Sequence, residues 1–434
     1  MRVRCPAIAV SALVLLTVAM LSGCTSGVTG TSRPSHTPGP PELTDCLSQG
    51  QCYSPRQFRV AYGIQPLLNR GIEGRGRTVA LWEASPASLA VPPPINDIRE
   101  DLRIFDAKFG LPPVQLSIVT ALFPSAPKWQ ATGEEVGDVE TVHVVAPDAR
   151  IEVILADRAA VHSPTLDIAS VVRLASRAAV LSISAGSGEH CFTPTQVDSL
   201  NAALDMAREH HLTVVASSGD SGPVSLPCRG SGTSVTPTTE VALPASDPLV
   251  LGVGGTRLTA ARPSGTYHDE TVWDTPSGAS GGGFSRLFGS PGYQSDVPGT
   301  GGMRGVPDVA ADADGQTGLA IVFSYGAEGY RVVGASGTSV GAPFWGALIA
   351  LADQEAGRDL GFVNPTIYKV ARSTEYHHAF HDITSGTNTA VIKTAGAATT
   401  YPGYQAAGGW DPVTGWGSPV ASVLVPLLVR FGGG

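Results

Sequence analysis

The sequence predicts an α/β protein in which a parallel β-sheet carries helices on both faces. Three observations lead to this prediction. Strand-like and helical segments alternate along the 434 residues, several strands are uninterrupted apolar runs, and 42% of the residues are hydrophobic. Continuous apolar strands are typical of parallel sheets, because helices cover both of their faces. Functional sites in such sheets lie beyond the carboxyl ends of the strands.

The elements follow in chain order from these patterns. Apolar runs predict strands at Thr78–Trp82, Ala149–Leu155, Val180–Ser184, Thr213–Ser217, Val250–Val253 and Ile321–Ser324. Helical patterns occur at Pro55–Tyr62, Ile95–Phe105, Gly133–Val145, Ile168–Arg177, Thr193–His210, Ser339–Glu355 and Ser422–Val429. No internal repeat and no second linker interrupts this alternation, so we expect one domain over residues 53–434.

The overall charge argues against a nucleic-acid partner. The formal net charge is −9, and no run of lysine or arginine is present. Proteins that bind nucleic acids normally carry a basic face. We therefore expect no nucleic acid among the partners.

The N-terminus has the pattern of an export signal. The basic Arg2 and Arg4 precede an apolar run at residues 8–21, and the motif LSGC that ends at Cys24 resembles a bacterial lipobox. We expect residues 1–23 to be a lipoprotein signal peptide and lipidated Cys24 to anchor the exported protein on the outer face of the cell membrane, or in the cell envelope. An ordinary signal peptide that ends near a cysteine is the alternative.

The segment after the anchor is rich in Ser, Thr, Gly and Pro. Such a composition cannot form a core, so we expect residues 24–52 to be a tether. Four cysteines follow Cys24, and an even number in an exported chain suggests two disulfides. Three connectivities are open, of which Cys46–Cys52 with Cys191–Cys228 is the most economical. A zinc site is the alternative, but C-x-x-C spacing is absent.

A glycine-rich turn, GASGTSVGAPFW from Gly334, delivers Ser339 to the start of an apolar helix. A hydroxyl at this position meets backbone N–H groups and the positive end of the helix dipole, which favours a nucleophile. The alternative is that Ser339 only caps the helix.

Two other segments offer carboxyl groups to such a serine. Glu134 and Asp138 are four residues apart, so a helix places them on one face, where their repulsion lets them share a proton. Asp220 follows a buried strand in SSGDSG, and a protonated carboxyl there can donate a hydrogen bond to a developing oxyanion. The alternatives are a solvated acidic helix start and an Asp that stabilises its own turn.

These three segments, in this order, resemble the sedolisin family of serine-carboxyl peptidases. Further similar stretches are YSPRQFRVAYGI from Tyr53, LSISAGSGE from Leu181, PASDPLVLGVGGT from Pro244, SGGGFSR from Ser280 and RGVPDVAADAD from Arg304. The resemblance spans about residues 53–420. It implies a subtilisin-like fold and a serine-type endopeptidase that cleaves protein or peptide substrates at acidic pH.

The resemblance assigns a role to each motif residue. Ser339 would be the nucleophile, and Glu134 the general base, with Glu135 as a one-residue alternative. Asp138 would orient Glu134, and Asp220 would stabilise the oxyanion.

A subtilisin would use a histidine base and an aspartate after the first strand. No H-G-T-H motif is present, and Glu83 follows that strand instead. His143 remains as a candidate base for a subtilisin-type mechanism, although its position in the middle of a helix favours a packing or surface role.

The C-terminal region carries the calcium pattern of the same family. FHDIT from Phe380 is followed by AAGGWDPVTGWG from Ala406, and carboxylates with backbone carbonyls suit an ion that prefers oxygen ligands. By resemblance, one structural calcium ion would be bound by the side chains of Asp382 and Asp411 and by the carbonyls of Ile383, Ala407 and Gly409. A plain Asp turn is the alternative.

Two departures from the family pattern bear on activity. Sedolisins usually carry a large prodomain, whereas 28 residues lie between Cys24 and Tyr53, so a separate inhibitor or prodomain is a potential partner. The family also usually has an aromatic residue where this chain has Ala185-Gly186. The second departure implies different substrate subsites. The missing prodomain supports the rival interpretation, a catalytically silent scaffold that binds peptides or proteins on the cell envelope.

Overall fold

The computed structural model describes residues 41–85, 97–120, 133–157, 168–225, 228, 237–324, 328–394 and 397–432. These residues belong to one compact unit, Pro40–Gly434. The expected signal peptide, Cys24 and most of the expected tether lie outside the described residues.

The described helices are α1 (Pro55–Ala61), α2 (Gln65–Leu68), α3 (Ile98–Phe109), α4 (Gly133–Val145), α5 (Ile168–Ala175), α6 (Pro194–Glu209), α7 (Thr338–Ala356), α8 (Asn364–Ala371), α9 (Tyr376–Ala379) and α10 (Ala421–Phe431). Among these described helices, none is both long enough and apolar enough to cross a membrane.

The strands of the main sheet are β2 (Thr78–Ser85), β3 (Gln115–Val119), β4 (Arg150–Asp157), β5 (Val180–Ile183), β7 (Thr213–Ser217), β11 (Leu251–Ala260), β12 (Tyr267–Val272) and β17 (Val309–Asp312). The smaller sheets contain β1 (Glu42–Asp45), β6 (Ser187–Gly188), β8 (Val224–Ser225), β9 (Thr238–Thr239), β10 (Ala242–Leu243), β13 (Asp274–Thr275), β14 (Gly278–Ala279), β15 (Gly283–Gly289), β16 (Met303–Val306), β18 (Ala320–Ser324), β19 (Tyr330–Gly334), β20 (Phe380–His381), β21 (Ala390–Thr394), β22 (Ala397–Tyr401) and β23 (Ser418–Pro419).

The main sheet has the order β12-β11-β7-β5-β2-β4-β3, and β17 also pairs with β11. Every pair in it is parallel except β11 with β12. The predicted class, a parallel sheet within an α/β fold, is therefore confirmed. The carboxyl ends of the central strands β2, β5 and β7 lie side by side, so residues that follow them can form one site.

The two faces of the sheet have separate hydrophobic cores. Val79 and Leu81 of β2 belong to the core that also contains residues of α4 and α7. Ala80 and Trp82 of the same strand belong to a second core with residues of α5 and α6. Because side chains alternate along a strand, the uninterrupted apolar run of β2 reflects burial on both faces.

Some element boundaries differ from the sequence prediction. The helix expected at Ile95–Phe105 begins at Ile98, because the Asp97 side chain accepts a hydrogen bond from the N–H of Arg99 and caps it. It ends at Gly110, which has the left-handed conformation typical of helix ends. The strand expected at Ile321–Ser324 exists as β18, but in a separate three-stranded sheet with β19 and β1.

The N-terminal limit of the fold also differs from the expected boundary at Tyr53. Strand β1 pairs in parallel with β19, and the Cys46–Cys52 disulfide closes the loop that follows it. Residues 42–52 are thus part of the domain, and the tether expected at 24–52 ends earlier. The short, exposed β1 has no apolar periodicity by which the sequence could have revealed it. The second predicted disulfide, Cys191–Cys228, is also present.

Candidate active site

Helix α7 begins where the serine motif was recognised. Its N-cap is Gly337, which provides no side-chain cap, so Ser339 is the second helical residue rather than the cap. Ser339 is half-buried, and its Oγ donates to the backbone oxygen of Ser184 over 3.4 Å. The hydroxyl therefore faces the carboxyl end of β5, beside the N-terminus of a long buried helix.

Ser184 connects this serine to the acidic helix. Its Oγ donates to Oδ2 of Asp138 and also lies 3.0 Å from the backbone oxygen of Ser339. Asp138 is buried in α4, with a relative exposure of 2%. Two residues far apart in the sequence, Asp138 and Ser339, are thus brought together by the residue that follows β5.

Glu83, at the carboxyl end of β2, belongs to the same cluster. It is buried and forms a hydrogen bond with Asp138. Burial raises the pKa of Glu83 well above its usual value, and the negative charges of Asp138, Glu135 and Glu134 raise it further. Burial also raises the pKa of Asp138, followed by the charge of Glu134. The hydrogen bond between Glu83 and Asp138 raises the pKa of Glu83 and lowers that of Asp138, which favours a shared proton held on the Glu83 side.

The two glutamates at the start of α4 differ in exposure. Glu134 is exposed, whereas Glu135 is 2% exposed. Of these two glutamates, Glu134 has the larger effect on the pKa of Asp138, and Glu135 has the larger effect on the pKa of Glu83. The sequence predicted that Glu134 and Asp138 share one face of a helix. Both lie in α4, where Glu134 is exposed to solvent and Asp138 is buried.

Asp220 is held directly beside the serine motif. Its Oδ1 accepts hydrogen bonds of 2.8 Å from both the N–H and the Oγ1 of Thr338. A Cβ on Gly337 would lie 2.8 Å from Oδ2 of Asp220, and Gly337 has φ +96°, so only glycine allows this approach. Desolvation raises the pKa of this carboxyl, against the lowering effect of the Thr338 hydrogen bonds, while Asp220 keeps an exposed surface through which a substrate can reach it.

The loop that carries Asp220 is paired with residues 278–281. The N–H of Ala279 donates to the backbone oxygen of Asp220 over 3.0 Å, and the N–H of Gly281 donates to that of Gly219 over 2.7 Å. Ser218 Oγ returns a 2.7 Å hydrogen bond to the oxygen of Gly281. These bonds fix the loop on both sides of Asp220, which is how the SGGG stretch contributes to the site.

His143 lies elsewhere and has structural partners. It is 1% exposed, and its Nε2 lies 3.0 Å from Oδ1 of Asp106 and 2.9 Å from the oxygen of Pro112. None of its hydrogen bonds within the described residues reaches the serine. The packing role that its position favours is thus the one it has.

The predicted calcium residues also converge. The Gly409 N–H donates to both oxygens of Asp382, and Asp411 accepts from the N–H groups of Ala407, Val413 and Thr414. Tyr376, which the sequence did not indicate, donates to Asp382 Oδ1 over 2.9 Å.

The backbone oxygens nearby fit a cation of the predicted kind. Among the hydrogen bonds of the described residues, none uses the carbonyls of Ile383, Ala407 or Gly409. Carboxylates and backbone carbonyls are the ligands that calcium prefers, while the hydrogen bonds of Asp411 with the N–H groups of Val413 and Thr414 are also those of a plain Asp turn. The residues therefore fit the ion that the family pattern implies.

Together, these elements define an α/β protein of the subtilisin-like class with a serine at a helix N-terminus and carboxyl groups around it. The family model of the subtilase family matches residues 130–416. Kumamolisin of Bacillus sp. (strain MN-32) is 37% identical over 403 residues, which are 87% of this chain and 64% of kumamolisin. Sedolisin of Pseudomonas sp. (strain 101) is 37% identical over 212 residues, which are 48% of this chain and 33% of sedolisin.

A solved structure of a sedolisin is also similar to this chain. Pseudomonas sedolisin, a serine-carboxyl proteinase complexed with two molecules of pseudo-iodotyrostatin, aligns with a TM-score of 0.69 and 27% identity over 87% of this chain and 97% of that chain. The chain belongs to the subtilase family, and its relatives group it with the sedolisins. It spans less than two thirds of the length of kumamolisin and of sedolisin.

Proposed function

We propose that this chain is a serine-type endopeptidase that works at acidic pH. The observation that carries the proposal is that Ser184 contacts both Asp138, to which its Oγ donates, and Ser339, whose Oγ donates to the Ser184 backbone oxygen, while Asp220 is bound to the adjacent Thr338. A nucleophile, a proton-sharing acidic cluster and an oxyanion donor are then all at the carboxyl edge of one sheet. The relatives support a peptidase, and the residue roles and the acidic pH are our proposal.

In the proposed mechanism, Ser339 Oγ attacks the carbonyl carbon of a peptide bond, and its proton passes to the carboxylate of Glu134. Asp138 orients Glu134 and stabilises its protonated form by accepting a share of the proton that Glu134 takes from the serine. The exposure of Glu134 and its strong effect on Asp138 favour it over Glu135 as the base. Glu134 returns the proton to the leaving amine, and water then hydrolyses the acyl-enzyme by the same steps.

Asp220 would donate its carboxyl proton to the oxygen that becomes negative in the tetrahedral intermediate. Only the protonated form can donate. Desolvation raises the pKa of Asp220, so it keeps its proton to a higher pH than an ordinary aspartate does. The rate should therefore fall as the pH rises through that pKa.

Proteolysis by the chain from residue 25 tests the proposal. Casein would be incubated with the wild type and with Ser339→Ala from about pH 3 to about pH 8. We expect cleavage in acid that Ser339→Ala abolishes. Ser336→Ala is the matched control, because Ser336 is exposed in the same motif. Glu134→Gln should then cost far more activity than Glu135→Gln. A folded wild type without activity would favour the silent binding scaffold.

We also propose that Asp382, Asp411 and the carbonyls of Ile383, Ala407 and Gly409 bind one structural calcium ion. The converging carboxylates and the unpaired carbonyls support this assignment. The ion would fix the loops that carry these residues, and the proposed reaction involves it in no step.

The proposal for the cellular location concerns residues outside the described structure. We propose that the mature chain is exported and anchored by a lipid on Cys24, supported by the basic, apolar and LSGC segments of the N-terminus. Fractionation of bacteria that express the full chain tests this, since Cys24→Ser should release the protein from the membrane fraction. Equal membrane association of both forms would contradict the proposal.

A further inference from the structure

A pocket with a volume of about 540 Å³ lies beside the candidate active site. Asp220 and Ser221 form one part of its wall, residues 274–279 form another, and residues 389–393 form a third. Ligand pockets in proteins have volumes of about 300–1,000 Å³. Whatever binds in this pocket lies next to the carboxyl that we propose as the oxyanion donor.

The pocket follows the edge of a strand rather than its face. Side chains alternate between the two faces of a strand, so a pocket on one face is lined by every second residue. Here five consecutive residues, 389–393, line the pocket, and four of them belong to β21. Consecutive residues of one strand can all line a pocket only when the pocket lies along the backbone edge of that strand.

The pairing of β21 with β22 identifies the backbone groups on this edge. Thr394 and Ala397 are the last partners in this register, and we take the pair that closes the hairpin as a hydrogen-bonded one. Bonded and non-bonded pairs alternate in antiparallel strands. Ile392 is therefore bonded to β22, whereas the N–H and C=O groups of Val391 and Lys393 point away from it.

Within the described part of the protein, no further strand pairs with this edge of β21. Strand β21 pairs only with β22 there, and no other hydrogen bond reaches the backbone of Val391 or Lys393. The Val391 side chain is 56% exposed, which is unusual for a large apolar residue of this chain. Proteins normally protect open strand edges, and an unprotected one is a template for a further strand.

We propose that the polypeptide substrate binds as an extended strand along the free edge of β21, through the backbone N–H and C=O groups of Val391 and Lys393. This inference rests on the proposed function, because continuity with Asp220 is what makes the occupant a substrate. It narrows the substrate class to unfolded segments that can offer their own backbone hydrogen bonds. Because the main chain is recognised, this contact selects for extended conformation more than for sequence.

A proline tests the edge without disturbing the hairpin. Val391→Pro removes an N–H that β22 does not use, and proline is tolerated on edge strands. Fluorescein-labelled casein would be titrated with inactive Ser339→Ala and with Ser339→Ala/Val391→Pro, and binding followed by anisotropy. We expect the proline to weaken binding about 3- to 10-fold, the effect of one lost hydrogen bond. Ser339→Ala/Val391→Ala, which keeps the N–H, is the matched control and should bind within about twofold of the parent.

Hydrogen exchange provides a second readout that needs no variant at the edge. Saturation of Ser339→Ala with casein should slow exchange of the amides of Val391 and Lys393. Unchanged exchange there, or equal affinity of the Ala and Pro variants, overturns the inference. Because both measurements use inactive protein, they are separate from the proposed function, which fails if Ser339→Ala leaves casein cleavage unchanged.

Discussion

Two buried acidic groups in this molecule are neutralised in opposite ways. Asp308 forms an ion pair with Arg304, and both side chains have no exposed surface. Asp308 also accepts from the Gly252 N–H and from the Tyr368 hydroxyl, each over 2.8 Å. At the candidate active site, Glu83 and Asp138 are also buried, yet no ion pair within the described residues joins either to a cation.

This difference indicates a structural role for Asp308 and a chemical role for Glu83 and Asp138. Arg304 pairs with Asp308 inside the core, and this fixed ion pair has a structural role. Without a cation, burial and mutual repulsion raise the pKa values of Glu83 and Asp138, and a proton takes the place of the positive charge. A proton can move during a reaction, whereas a guanidinium cannot.

The largest expected effect comes from removing the fixed cation. Arg304→Met leaves Asp308 as a buried charge without a cationic partner, and we expect a loss of about 3–5 kcal/mol in the free energy of unfolding. Urea denaturation near neutral pH measures it. The double variant Arg304→Met/Asp308→Asn should recover part of the loss. A decrease below about 1 kcal/mol would show that the cation is not what neutralises Asp308.

Calcium would be a third way to neutralise buried carboxylates, and its removal should have the next largest effect. A ligand present at 100 times its dissociation constant stabilises the folded state by about 2.7 kcal/mol. We therefore expect chelation to lower the melting temperature and added calcium, but not magnesium, to restore it. Asp382→Asn should abolish the response to calcium. An unchanged melting temperature after chelation would contradict the proposed ion.

Asp353 extends the comparison to a buried carboxyl away from the site. Burial raises its pKa from 3.8 to about 7. Between these values the folded protein holds a proton that the unfolded chain has lost, so stability should fall as the pH rises through this window. Asp353→Asn should reduce the fall by at least about 1.4 kcal/mol, the equivalent of one pKa unit. The free energies of unfolding of the wild type and of Asp353→Asn, measured at both ends of this pH window, test the prediction. Parallel pH profiles of the two proteins would contradict it.

Glu83→Gln should have the smallest effect on stability. Glutamine resembles the protonated carboxyl that we infer, so we expect a change below about 1 kcal/mol in acid. Arg304→Met measured in the same acidic buffer is the contrasting control. A large loss in Glu83→Gln would mean that Glu83 is ionised, and the contrast between the two acidic groups would disappear.

The sequence predicted those parts of the fold that are determined by local patterns. Helix α4 begins and ends where predicted, and β2, β4, β5 and β7 were found from their apolar runs. Strand β12, with the sequence YHDETV, was missed because it is a polar edge strand. The hairpin of β21 and β22 was missed because its apolar and polar residues do not alternate regularly.

The site was predictable only where one motif contains the residue. Ser339, Asp138 and Asp220 stand in recognisable stretches, and the structure brings all three to one edge of the sheet. Ser184 and Glu83 reach Asp138 only through the order of the strands, and Ser184 is 46 positions after Asp138 in the sequence. No local pattern records such a long-range contact, and the different burial of Glu134 and Glu135 is likewise a property of the packed helix.

The disulfide between Cys191 and Cys228 has a consequence for a chain that is proposed to cleave proteins, since each molecule then meets other copies of itself. The bond spans 37 residues of sequence, including all of α6. A single cut within that stretch would leave both fragments covalently joined. A nicked molecule would run as an intact chain on a non-reducing gel and separate into two pieces only after reduction, so self-digestion there would escape notice unless thiols were added.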